Sequence, residues 1–215
     1  MKAFNLCLAT LVMCSLASLA SATIVQTNDA VSGTQSGFAA DATDLVNSGQ
    51  ATFSSLDASG GWTYGGSPNN LNNGTTDEYI AAIDDGGNWS ATFTLDTSVN
   101  TLGYTLTSIT SIAGWNDSRA NQAISVDYSL VGSDDFVTLG TFSNGAATGG
   151  DYTTKITLTD TTGAIVSGVD QVRITISITT NMKEIDVAGF ATVPEPMTMS
   201  LLTVGGFSML IRRKH

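Results

Sequence analysis

Two pairs of adjacent carboxylates, Asp84–Asp85 and Asp134–Asp135, are the side chains that could carry acid–base chemistry in this sequence. Hydrolysis of a glycosidic bond needs two carboxyl groups that face each other across the bond. Neighbouring residues of an extended chain point in opposite directions, and both pairs stand beside Gly or Ser in turn-like sequence. This spacing favours solvated turns and argues against a hydrolase.

The side chains of most other catalytic and metal sites are missing from the body of the sequence. The last residue, His215, is the only histidine, and the two cysteines, Cys7 and Cys14, lie close to the amino terminus. Without His or Cys, the triads of hydrolases and the usual zinc sites lack their essential members. We therefore expect a protein that is not an enzyme.

The chain is strongly acidic, with a formal net charge of −11 over 215 residues. Between residues 23 and 193, four Lys and Arg residues stand against eighteen Asp and Glu residues, which gives a net charge of −14. A surface of this sign repels the phosphates of nucleic acids, so we expect no nucleic-acid partner. It suits solubility outside the cell, or the binding of divalent cations.

The first 22 residues have the parts of a secretory signal peptide. Lys2 is followed by an apolar run over residues 4–16, and small residues ending at Ala22 form a cleavage site of the A-x-A type. The alternative is an anchor that stays in the membrane, but the run is shorter than the roughly 20 residues of a membrane span. Cleavage after Ala22 would remove both cysteines and leave a mature chain without disulfides.

Hydrophobic and polar residues alternate through much of residues 23–192. The clearest runs are 89–95, 124–130 and 172–178, and weaker runs lie at 24–27, 51–56, 102–112, 136–142, 153–158 and 185–190. Alternation of period two places one face of a strand on a core and the other in water. Because Gly, Asn and Asp separate the runs as turns require, the pattern predicts one all-β domain, a β-sandwich of the jelly-roll type.

Three stretches, in this order, resemble the discoidin-like, galactose-binding-like family of jelly rolls. They are LNNGTTD (71–77) with NWSATFTL (88–95), then IAGWNDSR (112–119), then VRI (172–174) with EIDVAG (184–189). Together they cover roughly residues 40–192. The resemblance implies the β-sandwich fold of that family.

The resemblance also implies a structural calcium ion, held between the first of these loops and the last Glu. The residues at the matching positions are Asn73, Thr75 and Glu184, with Asp77 as a reserve. Calcium takes six to eight oxygen ligands, and amide, hydroxyl, carboxylate and main-chain oxygens can supply them. Asn73 stands where the family usually has Asp, which removes one negative charge. The alternative is that Asn73 and Gly74 simply form a turn.

In such jelly rolls, sugars bind at loops at one end, where an aromatic ring stacks on the sugar and polar groups hold its hydroxyls. Trp115 is the expected platform, and Asn116, Asp117 and Arg119 are its expected hydrogen-bonding neighbours on the same loop. The alternative is a buried indole, with Asp117 and Arg119 forming a local surface ion pair that contributes little.

The last residues differ from the rest of the chain. Pro194, Glu195 and Pro196 precede an apolar stretch over residues 197–211 and three basic residues at 212–214. This order closely resembles the PEP-CTERM sorting signal of bacterial proteins that an exosortase processes. The prolines favour an extended linker, the apolar stretch can form a transmembrane helix, and the basic cluster stays on the cytoplasmic side. The resemblance implies export, transient anchoring in the inner membrane, cleavage, and release to the cell surface or extracellular matrix.

These observations together predict a secreted, non-enzymatic protein of the cell surface or extracellular matrix that binds polysaccharide through its β-sandwich. The alternative is a purely structural or adhesive matrix protein without a discrete ligand site. Exposure of Trp115 beside polar groups favours the first interpretation, and burial of its indole favours the second.

Overall fold

The computed structural model describes residues 23–33, 37–60, 62–82, 89–145 and 150–193, and within these ranges the regular secondary structure is almost entirely β-strand. The strands are β1 Ile24–Ser32, β2 Phe53–Ser59, β3 Trp62–Tyr64, β4 Ile80–Ala82, β5 Trp89–Leu95, β6 Tyr104–Trp115, β7 Gln122–Leu130, β8 Val137–Asn144, β9 Tyr152–Asp160, β10 Val166–Ile176 and β11 Thr180–Ala191. Two turns of 3-10 helix lie at Pro68–Leu71 and Ser118–Ala120.

The strands form two antiparallel layers. The first layer has the order β2–β5–β10–β7–β8, and the second has the order β1–β9–β6–β11–β4–β3. The layers are continuous at one corner, where the first residues of β10 pair with β6 at Val166–Leu106 and Val169–Tyr104. The predicted fold class, an all-β sandwich, is confirmed. Strands β3 and β4 were not predicted, because three residues are too few for a period of two to be visible.

Inward-facing side chains from both layers form one hydrophobic core. Phe93 and Ile174 of the first layer belong to the same buried cluster as Ile109 and Ile156 of the second layer. Burying a side chain of this size stabilises the fold by about 1.5–3 kcal/mol relative to leaving it in water. Trp89, which opens β5, is only 3 % exposed, as its place in the alternating run predicts.

A β-bulge in β11 changes which side chains face the core. Met182 pairs with Ala113 and Glu184 pairs with Ile112, so Lys183 has no partner in β6. Lys183 and Glu184 therefore both lie on the face of β11 that turns away from the core. On the core side, the apolar positions continue with Met182, Ile185 and Val187.

The outward residues of β11 are nevertheless buried, and the chain that precedes β2 packs along the edge of this strand. The N–H of Leu45 donates to the carbonyl of Val187, and the N–H of Val187 donates to Asp44 Oδ1. Beside these contacts, the N–H of Asp41 donates to Asp186 Oδ1. The segment 41–46 thus occupies the edge of β11 beyond the residues that pair with β4.

The predicted processing segments fall almost entirely outside the described residues. This holds for the signal peptide that ends at Ala22 and for the sorting segment from Pro194 onward, including Glu195 and Pro196. Within the part of the chain that the structure describes, no helix is long and apolar enough to span a membrane.

Candidate functional site

The first candidate site is the loop at residues 115–119, which joins the two layers at one end of the sandwich. Trp115 is the last residue of β6 and pairs with Tyr152 of β9. Asp117 caps the 3-10 turn that follows, because its side chain accepts a hydrogen bond from the N–H of Arg119. Asn116 and Ser118 are exposed, and β7 begins directly after this turn.

Arg119 and Asp117 form a two-pronged ion pair within the loop. Arg119 Nε lies 2.9 Å from Asp117 Oδ1 and 3.1 Å from Oδ2, and Nη2 lies 2.8 Å from Oδ2. The hydrogen bond from Arg119 lowers the pKa of the Asp117 carboxyl, and the same contact raises the pKa of the guanidinium. Both side chains are more than one-third exposed, so we expect the pair to contribute about 0–1 kcal/mol to stability.

The Trp115 ring contacts both a cation and a second aromatic ring. Arg119 Cζ is 5.0 Å from the centre of the indole, and the ring centre of Tyr79 is 4.7 Å away at an interplanar angle of 57°. The indole is half-buried, and its Nε1–H is buried without a hydrogen-bond partner among the described residues. The Trp115 ring is therefore held in a defined position but is not fully covered.

The structure thus brings together the predicted residues Trp115, Asp117 and Arg119, with the exposed Asn116 on the same loop. Sequence reasoning did not find Tyr79, because it precedes a three-residue strand and only pairing of that strand with β11 brings it to this end of the sandwich. The cluster offers an amide, a phenol hydroxyl, part of an aromatic ring, and guanidinium N–H donors that no other described residue uses. These groups suit a ligand that carries many hydroxyls on an otherwise apolar frame.

The second candidate site surrounds Glu184, which is fully buried on the outer face of β11. Its Oε1 accepts a hydrogen bond of 3.0 Å from the N–H of Gly74, whereas Oε2 is buried without a partner among the described residues. In the same loop, Asn73 Oδ1 accepts a hydrogen bond of 2.9 Å from the N–H of Thr75. The main chain of the loop that carries Asn73 and Thr75 therefore contacts Glu184, although the side chain of Thr75 is exposed.

Gly74 is required at this contact for steric reasons. Its φ angle is +76°, and an added Cβ would lie 2.6 Å from Asn47 Nδ2 and 3.0 Å from the Ala42 Cβ. A larger residue would push the 73–75 loop away from Glu184. The reserve residue, Asp77, is exposed. Its negative charge favours the protonated form of Lys183, whose Nζ donates to the carbonyl of Thr76.

Three buried carboxyl groups lie close together around this loop. Burial raises the pKa of Glu184 to about 9, that of Asp186 to about 7 and that of Asp44 to about 6. Repulsion from Asp186 and Asp44 adds to the rise in the pKa of Glu184, and repulsion from Asp44 adds to that of Asp186. No ion pair between described residues involves any of the three. Asp44 and Asp186 were not identified from the sequence, although residues 184 and 186 of an alternating run must share a face.

The atoms around Glu184 fit a hard cation in part. Glu184 Oε2, Asp44 Oδ2 and Asn72 Oδ1 are all buried without hydrogen-bond partners within the described ranges. In the same ranges, no group of three or more His, Cys, Asp or Glu side chains is placed to hold a metal ion. A cation would therefore need amide, hydroxyl and main-chain oxygens beside Glu184, which are ligands that calcium accepts.

Comparison with known proteins gives likeness of fold only. No model of a protein family matches the chain, and no curated protein matches it. Among solved structures, CpGH89CBM32-6 from Clostridium perfringens is 14% identical, with a TM-score of 0.47, over 68% of this chain and 98% of that chain. A pectin binding carbohydrate binding module is 15% identical, with a TM-score of 0.40, over 68% of this chain and 98% of that chain.

Allantoicase from Saccharomyces cerevisiae is also similar in fold. It is 17% identical, with a TM-score of 0.46, over 68% of this chain. The match covers 43% of the allantoicase chain, so this protein corresponds to less than half of that structure.

Proposed function

We propose that this protein is an exported, non-enzymatic β-sandwich protein that binds polysaccharide through the loop at residues 115–119. The observation that carries the proposal is the cluster of Tyr79, Trp115 and Arg119 at one end of the sandwich. It combines a partly exposed aromatic ring with hydrogen-bond donors whose positions are set by packing and by the ion pair with Asp117.

The position of Arg119 suggests how the loop would engage a sugar. The guanidinium of Arg119 lies over the indole ring of Trp115. A sugar ring would therefore contact the remaining exposed part of Trp115 and not a whole face of the ring. Asp117 pairs with the charge of Arg119 and leaves three of its five N–H donors without a partner among the described residues. Neutral hydroxyl groups are suitable acceptors for those donors.

Electrophoresis through gels that contain a single soluble polysaccharide tests this proposal. We expect retardation of the wild type in at least one glycan of a broad panel, and at least tenfold weaker binding for Trp115→Ala. The control is Phe190→Ala, which removes an aromatic side chain that is 55 % exposed but lies near the far end of β11. Equal retention of wild type and Trp115→Ala on every glycan, or no retention of either, would contradict the proposal and favour a purely structural or adhesive matrix protein.

We also propose a structural calcium ion at Glu184, with Asn73 and Thr75 as further ligands. The buried, unpartnered Oε2 of Glu184 and the two buried Asp side chains nearby support it, because a cation would offset their mutual repulsion. When bound, the ion would supply positive charge and no reaction chemistry. The residues of this chain would then hold the 73–75 loop against β11.

For the terminal segments, we propose a signal peptide cleaved after Ala22 and a sorting signal that an exosortase-type enzyme recognises at Pro194, Glu195 and Pro196. The support is the order of motifs in the sequence. Intact-mass measurement of the protein recovered from the surface of a bacterial host that carries an exosortase tests both cleavages. We expect loss of residues 1–22 and of the apolar tail, and a full-length mass would contradict the proposal.

A further inference from the structure

A row of hydroxyl residues crosses the outer face of the first layer. Each of the five strands of this layer, in the sheet order β2–β5–β10–β7–β8, places a hydroxyl residue in the same row. Ser59 pairs with Ser90, Ser90 with Thr175, Thr175 with Ser125, and Ser125 with Thr141. Because adjacent strands are about 4.8 Å apart, the row extends over about 19 Å.

The row deepens into a trough over β10, β7 and β8. Its volume is about 360 Å³, within the range of small-ligand sites. Within the trough, the outward residues of β7 are Ala123 and Ser125, which are small, and larger or more exposed side chains flank them on both sides. The outward residues that line the trough are Ala123, Ser125, Thr141, Ser143, Thr175 and Ser177.

Two hydroxyl groups of the trough differ from the other hydroxyls described on this face, because they are not used in hydrogen bonds within the protein. Outside the trough, the hydroxyls of Ser59 and Ser90 lie 2.7 Å apart and bind each other. Thr138, on the next row, donates to Asp127. Inside the trough, Ser125 Oγ and Ser177 Oγ donate to the carbonyls of Gly140 and Ala123. No hydrogen bond between described residues involves the side-chain hydroxyls of Thr141 and Thr175. Each of these two can both donate to and accept from a ligand.

The trough is uncharged, although the protein is strongly acidic. None of its lining residues carries a charge. On the neighbouring row, Arg173 Nη2 lies 3.1 Å from Asp127 Oδ2, so those two charges neutralise each other, and the guanidinium also lies 3.9 Å from the ring centre of Phe136. An anionic polymer would be repelled by the net charge of the body, and a cationic one would find no carboxylate in the trough.

We propose that this trough is a second glycan-binding site, which binds a segment of an uncharged polysaccharide. The hydroxyl rims supply hydrogen bonds, and the methyl groups of Ala123, Thr141 and Thr175 supply an apolar floor and walls. The trough opens near the start of β7, directly after the loop that contains Trp115. The two sites share no residue, and one long polymer chain can occupy both.

Titration of the full-length protein with hydroxyethylcellulose, galactomannan and dextran tests the inference, with polygalacturonate and chitosan as charged probes. The double variant Thr141→Val/Thr175→Val removes two hydroxyls and keeps the shape of the side chains, and Ala123→Leu fills the trough. The matched control is Thr94→Val, on the same face but on β5, outside the trough. We expect at least fivefold weaker binding of a neutral polymer by both trough variants and no change for Thr94→Val, with melting temperatures close to wild type.

Comparison with Trp115→Ala separates this inference from the proposed function. The trough substitutions are also introduced into Trp115→Ala. If Trp115→Ala still binds a neutral polymer and the added trough substitutions abolish that binding, the second site is supported, whether or not the loop binds a sugar. Wild-type affinity in both trough variants would overturn the inference. So would binding of charged polymers only, or binding of none of the five probes.

Discussion

Glu184 Oε1 accepts a hydrogen bond from the N–H of Gly74 at 3.0 Å, although the two residues are 110 positions apart in the chain. This contact fixes the 73–75 loop on the outer face of β11 and excludes water from a carboxyl group. The arrangement also buries a cluster of acids, because the segments around this loop cover Asp44 and Asp186 as well. The free energy of unfolding should therefore depend on the pH and on any cation bound beside these carboxyl groups.

In chelator, we expect the free energy of unfolding to fall as the pH rises from about 4 to about 9. Glu184, Asp186 and Asp44 have folded-state pKa values of about 9, 7 and 6, all above those of the unfolded chain. The folded state therefore binds more protons than the unfolded chain in this window. For each such additional proton, the free energy of unfolding falls by about 1.4 kcal/mol per unit rise in pH. Urea unfolding at several pH values measures how steeply the free energy of unfolding falls with pH. Glu184→Gln should make this fall less steep above pH 7. A stability that is constant or rises from pH 5 to pH 9 would contradict this expectation.

Calcium should raise the melting temperature at neutral pH. A ligand at 100 times its dissociation constant stabilises the folded state by about 2.7 kcal/mol, which corresponds to roughly 5–10 °C for a domain of this size. Differential scanning calorimetry with calcium and with chelator measures the shift. Glu184→Gln should abolish it, whereas Asp57→Asn, on the exposed face of β2, should not. An unchanged melting temperature on adding chelator would exclude the calcium site.

Replacement of Gly74 by Ala should destabilise the fold more than the same replacement at Gly132. Both residues have positive φ angles, +76° and +81°, so both substitutions carry backbone strain of about 1–3 kcal/mol. Only at position 74 would the added Cβ also collide with Asn47 and Ala42, whereas nothing lies within 4 Å of it at position 132. Chemical denaturation of the two variants measures the difference, and equal losses would show that the loop adjusts freely.

Truncation of Phe93 should be one of the most damaging single changes in the first layer. This side chain is completely buried between the layers, and Phe→Ala substitutions in cores typically cost 3–5 kcal/mol. Phe190→Ala is the matched control, because Phe190 is 55 % exposed and its loss should change stability by less than about 0.5 kcal/mol. Urea denaturation compares the two variants, and a loss at Phe93 no larger than at Phe190 would contradict the assigned core.

The strands were predictable to the extent that their side chains alternate. In β5, Trp89, Ala91, Phe93 and Leu95 are buried in strict alternation, and the sequence shows this directly. In β11, the bulge at Lys183 interrupts the alternation, so the strand was predicted only from residue 185 onward. A local pattern reports which face is apolar, but it does not report an extra residue whose position depends on pairing with β6.

The candidate sites were predictable where neighbours in sequence are neighbours in space. Asp117 and Arg119 are two residues apart and form the local ion pair that was one of the two expectations for this loop. Tyr79 was missed because it reaches Trp115 through the pairing of β4 with β11. The trough on the outer face was also missed, because its hydroxyls line up only once the registers of β10, β7 and β8 are known.

By itself, the sequence determined the all-β class, the strong negative charge and the lack of His and Cys in the body, because these follow from composition and local periodicity. The tertiary structure decided which acids are buried and which polar groups meet. Asp44, Gly74 and Glu184 come from three distant segments, and their burial results from one segment covering another. Long-range strand pairing and burial raise the pKa of these carboxyls, and no local pattern of residues encodes either.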